Sequence, residues 1–175
     1  MGARERFEAL YGAHAGEVRT YLRRRGADAV AADDLVSDVF LVAWRRLEDV
    51  PADPLPWLLG VARRVLANNR RGDARRTALR SRLTGERLAS EQDHASAPQH
   101  ESPVMHALQS LSERDREVLL LVAWDGLERG RAAAALGIGA GAFAMRLHRA
   151  RRRLERALAA ADAQPEGEAS ITEVL

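Results

Sequence analysis

The chain contains no cysteine and no lysine, and aromatic residues make up only 5% of its 175 positions. Without cysteine there is no disulfide framework and no thiolate metal site. Without lysine, and with only two tyrosines, little titrates between neutral pH and about pH 10. A sequence pI near 9.8 therefore overstates a net charge of only +2. β-Branched residues are outnumbered by alanine, leucine and arginine, which favours helices over strands. No apolar run approaches the length needed to cross a membrane, and the opening MGARERFEAL lacks a signal-peptide core. A soluble cytoplasmic protein without membrane insertion is expected. Five scattered histidines and no glycine-rich phosphate loop leave no assembled catalytic site. His94, His100 and His106 are six apart, a spacing that neither helix nor strand places neatly on one face. No enzyme activity, cofactor or metal is expected.

What is present is helical and segregated by charge. Hydrophobic residues form 46% of the chain, enough for real cores. From Leu111 to Leu158 three helices can be drawn. Ser112 is a good N-cap, and Asp115 three residues on approximates a capping box. Val118, Leu119, Leu121 and Val122 give the first helix its apolar side, and Gly126 stops it. A short second helix spans about Arg129 to Leu136, and Gly137-Ile138-Gly139 makes a turn. In the third helix Phe143, Leu147, Ala150, Leu154 and Leu158 form one stripe, opposite Arg146, Arg149, Arg152, Arg153 and Arg156. Two short helices, a glycine turn and an arginine-faced third helix describe a helix-turn-helix. Such a helix suits the major groove, where arginines bind phosphates and guanine edges. The plainer alternative is a small bundle with a solvated arginine face.

The N-terminal half has its own pattern. Phe7, Leu10, Tyr11, His14, Val18, Tyr21 and Leu22 recur at helical spacing from Arg4 to Arg25, with both tyrosines expected in the core. A second helix is expected from about Ala32 to Leu47, with Asp33 and Asp34 in its first turn. Asp34 and Asp38 share a face. No third ligand stands near them, so a solvated or partner-facing acidic surface is the better reading than metal or acid–base chemistry. Pro51, Pro54 and Pro56 make a stiff loop, Trp57 opens a third helix, and Gly72 is its expected stop. From Val61 to Arg82 there are eight arginines and one acid, from Leu83 to Pro103 four acids and one arginine. Two basic zones separated by an acidic linker fit a two-site nucleic-acid binder.

Three stretches carry a family resemblance. LSERDREVLLLV, DGL, ALGI and RLHRARRRL resemble the C-terminal domain of extracytoplasmic-function (ECF) sigma factors, and ADDLVSDVFLVAWRR resembles the segment of that family that binds core RNA polymerase. The resemblance implies that Asp33, Asp34, Asp38 and Arg45 face the β′ clamp helices. WLLGVARRVLANNRRGDARR also resembles the segment of the family that opens and reads the −10 element, which implies that role for Arg63, Arg64, Asn68, Arg70, Arg71, Arg75 and Arg76, with a flipped base expected near Val50 to Leu55. The C-terminal resemblance implies that Arg146, His148, Arg149, Arg152 and Arg153 dock at −35, beside the β-flap. Promoter DNA and core polymerase are the implied partners, and an anti-sigma factor is common in the family.

The chain also departs from the family pattern. Arg64 stands where an asparagine is common, and Asn68-Asn69 where an Asp-His-like pair is common. Gly139-Ala140-Gly141-Ala142 replaces the polar entry to the recognition helix, so base readout falls to Arg146, with Arg149 and His148 beside it, and −35 sequence choice is expected to be relaxed. The expected fold is all-α, with two small helical domains. Residues 1–80 form the polymerase and −10 domain, 81–103 a flexible acidic linker, 104–160 the helix-turn-helix and 161–175 an acidic tail. The competing reading is a stand-alone helix-turn-helix regulator, which leaves the acidic second helix and the Trp57 segment without a role.

Overall fold

In the computed structural model, residues 2–84 and 102–162 are described, and among them every regular element is helical. Seven α-helices follow one another: α1 (Ala3–Arg24), α2 (Ala29–Arg45), α3 (Pro54–Thr84), α4 (Pro103–Ser110), α5 (Glu113–Ala123), α6 (Arg129–Leu136) and α7 (Ala140–Asp162). A single 3-10 turn, Leu47–Asp49, joins α2 to the proline loop. Most of the expected linker and tail lies outside the described residues, as do His94 and His100. The described chain falls into two compact units: residues 2–84 with 130–139, and residues 102–129 with 140–162.

In the first unit α1 and α2 run antiparallel, and their side chains show the register. Arg19 pairs with Asp33 at 2.6 Å, the Tyr11 and Phe40 rings lie 4.7 Å apart, and Phe7 meets Trp44 edge-on at 5.1 Å. α1 is one unbroken helix despite Gly12 and Gly16. It ends where Gly26 adopts φ +90°, a conformation that favours glycine, and Ala27 N–H returns to the Leu22 carbonyl at 3.2 Å. Val18, Tyr21 and Leu22 of α1, Leu35, Val36, Val39 and Phe40 of α2, and Leu58 and Ala62 of α3 make the core. Arg25 is also buried, its guanidinium stacked 3.4 Å from the Tyr21 ring centroid. α6, within this unit, is tied by Arg131, which grips both carboxylate oxygens of Asp53 at 2.7 and 2.8 Å.

Several boundaries differ from the sequence expectation, each for a local reason. α2 begins three residues earlier than expected, because the Asp28 carboxylate accepts the Ala31 N–H at 2.8 Å and so caps it. Asp33 and Asp34 therefore stand beyond the first turn, and Asp28 takes the place at the positive end of the helix. Leu47 is buried in the 3-10 turn rather than in α2. α3 begins at Pro54, where a missing N–H costs nothing, and does not stop at Gly72. An interior glycine costs about 1 kcal/mol, which arginines and alanines on both sides can carry. Tyr11 is 42% exposed rather than in the core, whereas Tyr21 is buried.

The second unit packs α5 and α4 on α7. Phe143, Leu147 and Ala150 of α7 and Val118 and Leu121 of α5 are buried, while Leu154 and Leu158 are only half-buried. α4 was not foreseen as a separate helix. Its last carbonyls are claimed by one side chain: Arg116 donates to Leu108, Gln109 and Leu111 oxygens at 2.9, 2.6 and 3.2 Å. α5 ends at Ala123, three residues before the expected stop at Gly126, which has φ +67° in the turn that follows. Phe143 is fully buried at the centre of this unit. Phe143→Ala should cost the second unit about 3–5 kcal/mol in urea denaturation; a loss below about 1 kcal/mol would mean that the ring does not organise the core.

Candidate nucleic-acid interface

The expected functional side chains fall into three stretches, on α2, α3 and α7. On α2, Asp34, Asp38 and Arg45 are exposed and have no side-chain partner among the described residues. Offsets of four, seven and eleven place them on one stripe. Asp33 lies to one side and is engaged by Arg19. Two residues of this surface escaped the sequence reading. Leu41 and Trp44 are each 46% exposed, and Leu41 stands in the middle of the acidic stripe. The signal was available, since Leu41 falls outside the buried stripe of Leu35, Val36, Val39 and Phe40.

On α3 the arginines divide into held and unheld. Arg70 is half-buried and donates to the Arg25 carbonyl, closing the end of α1 onto α3. Arg71 donates to Asn68, and Arg76 pairs with Asp73. Arg63, Arg64 and Arg75 are exposed with no side-chain partner among the described residues. Arg64, Asn68, Arg71, Arg75 and Arg82 lie at offsets of four, seven, eleven and eighteen, which is one face of the helix. All five are exposed. Trp57 is half-buried at the start of the same helix, with the Arg46 guanidinium 5.9 Å from its ring centroid.

On α7 the five expected residues do not share one environment. His148, Arg149 and Arg152 are exposed and point outward, and with Arg153 and Arg156 they line an open groove. Arg153 instead reaches the buried carboxylate of Asp115 on α5. Ser112 caps α5 by accepting the Asp115 N–H at 3.3 Å, and its hydroxyl donates to the same carboxylate at 2.8 Å. Arg146, half-buried, lies seven residues before Arg153 on the same flank. Burial acts to raise the Asp115 pKa, but hydrogen bonds from Arg153 and Ser112 and the charges of Arg153 and Arg146 outweigh it and hold the carboxyl below its usual value. The sequence marked Asp115 only as a capping residue. Nothing in the sequence pattern pairs positions 38 apart.

Residues 10–76 match the family model for Sigma-70 region 2, and residues 102–154 match that for Sigma-70, region 4. The chain is 30% identical to the ferric citrate uptake sigma factor FecI of Escherichia coli (strain K12), over 69% of this chain and 72% of that one. It is 32% identical to the ECF RNA polymerase sigma factor SigL of Mycobacterium tuberculosis H37Rv, over 63% and 65%. Among solved structures it is similar to CnrH, determined in complex with the cytosolic domain of CnrY, with a TM-score of 0.59 and 28% identity over 91% and 89% of the two chains. Its fold is also like that of RpoE from Bartonella quintana, determined with the anti-sigma factor NepR, with a TM-score of 0.62 and 24% identity over 87% and 96%.

The Asp115 latch has a pH signature. A carboxylate whose folded pKa lies below its unfolded value, about 3.9, binds fewer protons in the folded state near that pH. The stability it contributes is complete above the unfolded pKa and is lost as pH falls through the folded pKa. In urea denaturation between pH 6 and pH 3, the gap between the parent chain and Asp115→Asn should narrow as acid is added. A gap that stays constant with pH would remove the charge of Asp115 from the account.

Proposed function

Because this chain belongs to the ECF sigma factors, we propose that its three exposed stretches divide the work of promoter-directed initiation among them. Sigma factors bind core RNA polymerase and promoter DNA, and as a class they are non-enzymatic initiation factors. Among the described residues no helix is long and apolar enough to cross a membrane.

The α2 stripe is the core-polymerase face. Asp34 and Asp38 supply negative charge, and Leu41 and Trp44 supply apolar area beside it, a combination suited to a basic, amphipathic coiled coil. The outward face of α3 is the −10 surface, with Arg63, Arg64 and Arg75 ready for phosphate and Asn68 and Arg71 held beside each other among them. The loop from Val50 to Leu55 and the first turn of α3 receive the displaced strand. On α7, His148, Arg149 and Arg152 meet the −35 duplex. Arg70 and Arg153 serve by position: one fixes α3 to the end of α1, the other fixes α7 to α5. The observation that carries this reading is the sorting of unheld charges, with unpaired carboxylates on α2 and unpaired arginines on α3 and α7, in a chain that matches regions 2 and 4 in order.

The test is to mix the chain with core RNA polymerase and follow complex formation and initiation on a genomic promoter library. Initiation at a discrete promoter set is expected. Duplex binding by the chain alone, without a polymerase complex, would favour a stand-alone regulator. Asp34→Arg should weaken the polymerase complex by about 2 kcal/mol or more while leaving the thermal unfolding curve in place; unchanged affinity would remove α2 from the interface. Replacing Arg64 and Arg75 together by alanine should lower promoter opening and flatten its salt dependence, and an unaltered salt slope would count against the α3 surface.

A further inference from the structure

The entry to α7 is apolar where a DNA-reading helix needs contacts. Gly139, Ala140, Gly141, Ala142 and Ala144 have no side-chain donor or acceptor. Arg146 does not make up for this, because it lies on the flank shared with Arg153 and adds its charge to the pull on Asp115. The outward face is defined by its neighbours. Phe143 and Leu147 are 0% and 3% exposed, while Met145 between them is 56% exposed. Helical offsets of three, four, seven and eleven put Met145 on one face with Ala142, Gly141, Arg149, Arg152 and Arg156. A lone exposed apolar side chain is ordinary. This one stands at the centre of a face flanked by arginines, just after the first turn, with the exposed His148 and Arg149 as its polar neighbours three and four residues on.

We infer that Met145, with the Ala142 methyl beside it, is the base-contacting element of α7 and recognises the 5-methyl group of a thymine in the major groove of the −35 element. The major groove displays a methyl group at thymine alone among the four bases, and apolar contact is the way it is read. An unbranched, flexible thioether can follow that methyl without fixed hydrogen-bond geometry. Arg149 and Arg152 hold phosphates further along the helix and set the depth of insertion. The result is a reader that selects thymine at one position and leaves neighbouring positions loosely specified. This inference rests on the sigma-factor reading proposed above.

The test uses holoenzyme on a promoter taken from the library selection. Each −35 thymine, on either strand, is replaced in turn by deoxyuridine, which differs only by the missing methyl group. Affinity is compared at fixed salt for the parent chain, Met145→Leu and Met145→Ala. At one thymine, loss of the methyl should weaken parent holoenzyme about fourfold, the worth of one buried methyl group. Met145→Leu should keep a preference for thymine, and Met145→Ala should bind the two duplexes equally. Indifference to deoxyuridine at every position, a selected −35 element without thymine, or an undiminished preference in Met145→Ala would overturn the inference while leaving the sigma-factor reading intact. No initiation from any library member would overturn that reading, and the inference with it.

Discussion

A guanidinium gripped by a carboxylate or carbonyl within the fold offers a phosphate fewer of its five N–H donors and less freedom to reach it. That constraint sorts the arginines of this chain. All 27 basic residues are arginines, so charge alone cannot distinguish those that build the fold from those that serve a partner. Geometry does. Arg25 lies on Tyr21, Arg70 on the Arg25 carbonyl, Arg116 on the end of α4, and Arg153 on Asp115. These four hold helix ends and helix pairs together. Arg63, Arg64, Arg75, Arg149 and Arg152 are left outward. Arginine suits both tasks, since its planar fork binds carbonyls and carboxylates within the fold as well as phosphates outside it.

The division also bears on how a core in which alanines are interspersed among leucines and valines stays organised. Ala15, Ala32, Ala43, Ala62, Ala107, Ala132, Ala133, Ala135 and Ala150 are all buried. Alanine lets helices approach closely but contributes little apolar area at each position. Leucines and valines supply most of the apolar area, and among the described residues the buried aromatic rings are Tyr21, Phe40 and Phe143. Specific polar contacts at helix ends then matter more to where each helix sits. The Asp115 carboxylate, gripped from α7 and from its own N-cap, is the clearest case.

Much of this was legible in the residues. The stripe from Phe143 to Leu158 located α7, Ser112 located the start of α5, and Gly26 the end of α1. The outward acidic pair Asp34 and Asp38 followed from helical spacing alone. What was not legible has two physical sources. Local capping chemistry moved boundaries: Asp28 outcompeted later residues as the start of α2, and one glycine did not stop a helix otherwise rich in good helix formers. Partners distant in sequence gave no periodic signal. Arg70 to Arg25 and Arg153 to Asp115 cross 45 and 38 residues, so arginines that all read as outward turned out to have two kinds of surroundings. The exposure of Leu41, Trp44 and Met145 was visible only as departure from a buried stripe.

The uninterrupted length of α3 has a metric consequence. A helix advances about 1.5 Å per residue, so the stripe from Arg64 to Arg82 is about 27 Å long. One DNA strand advances about 3.4 Å per nucleotide along a duplex. The stripe therefore matches the rise of about eight nucleotides, and its spacing is set by helical pitch rather than by a loop. A chain that broke at Gly72 would carry the same charges on a hinge. This one carries them on a ruler.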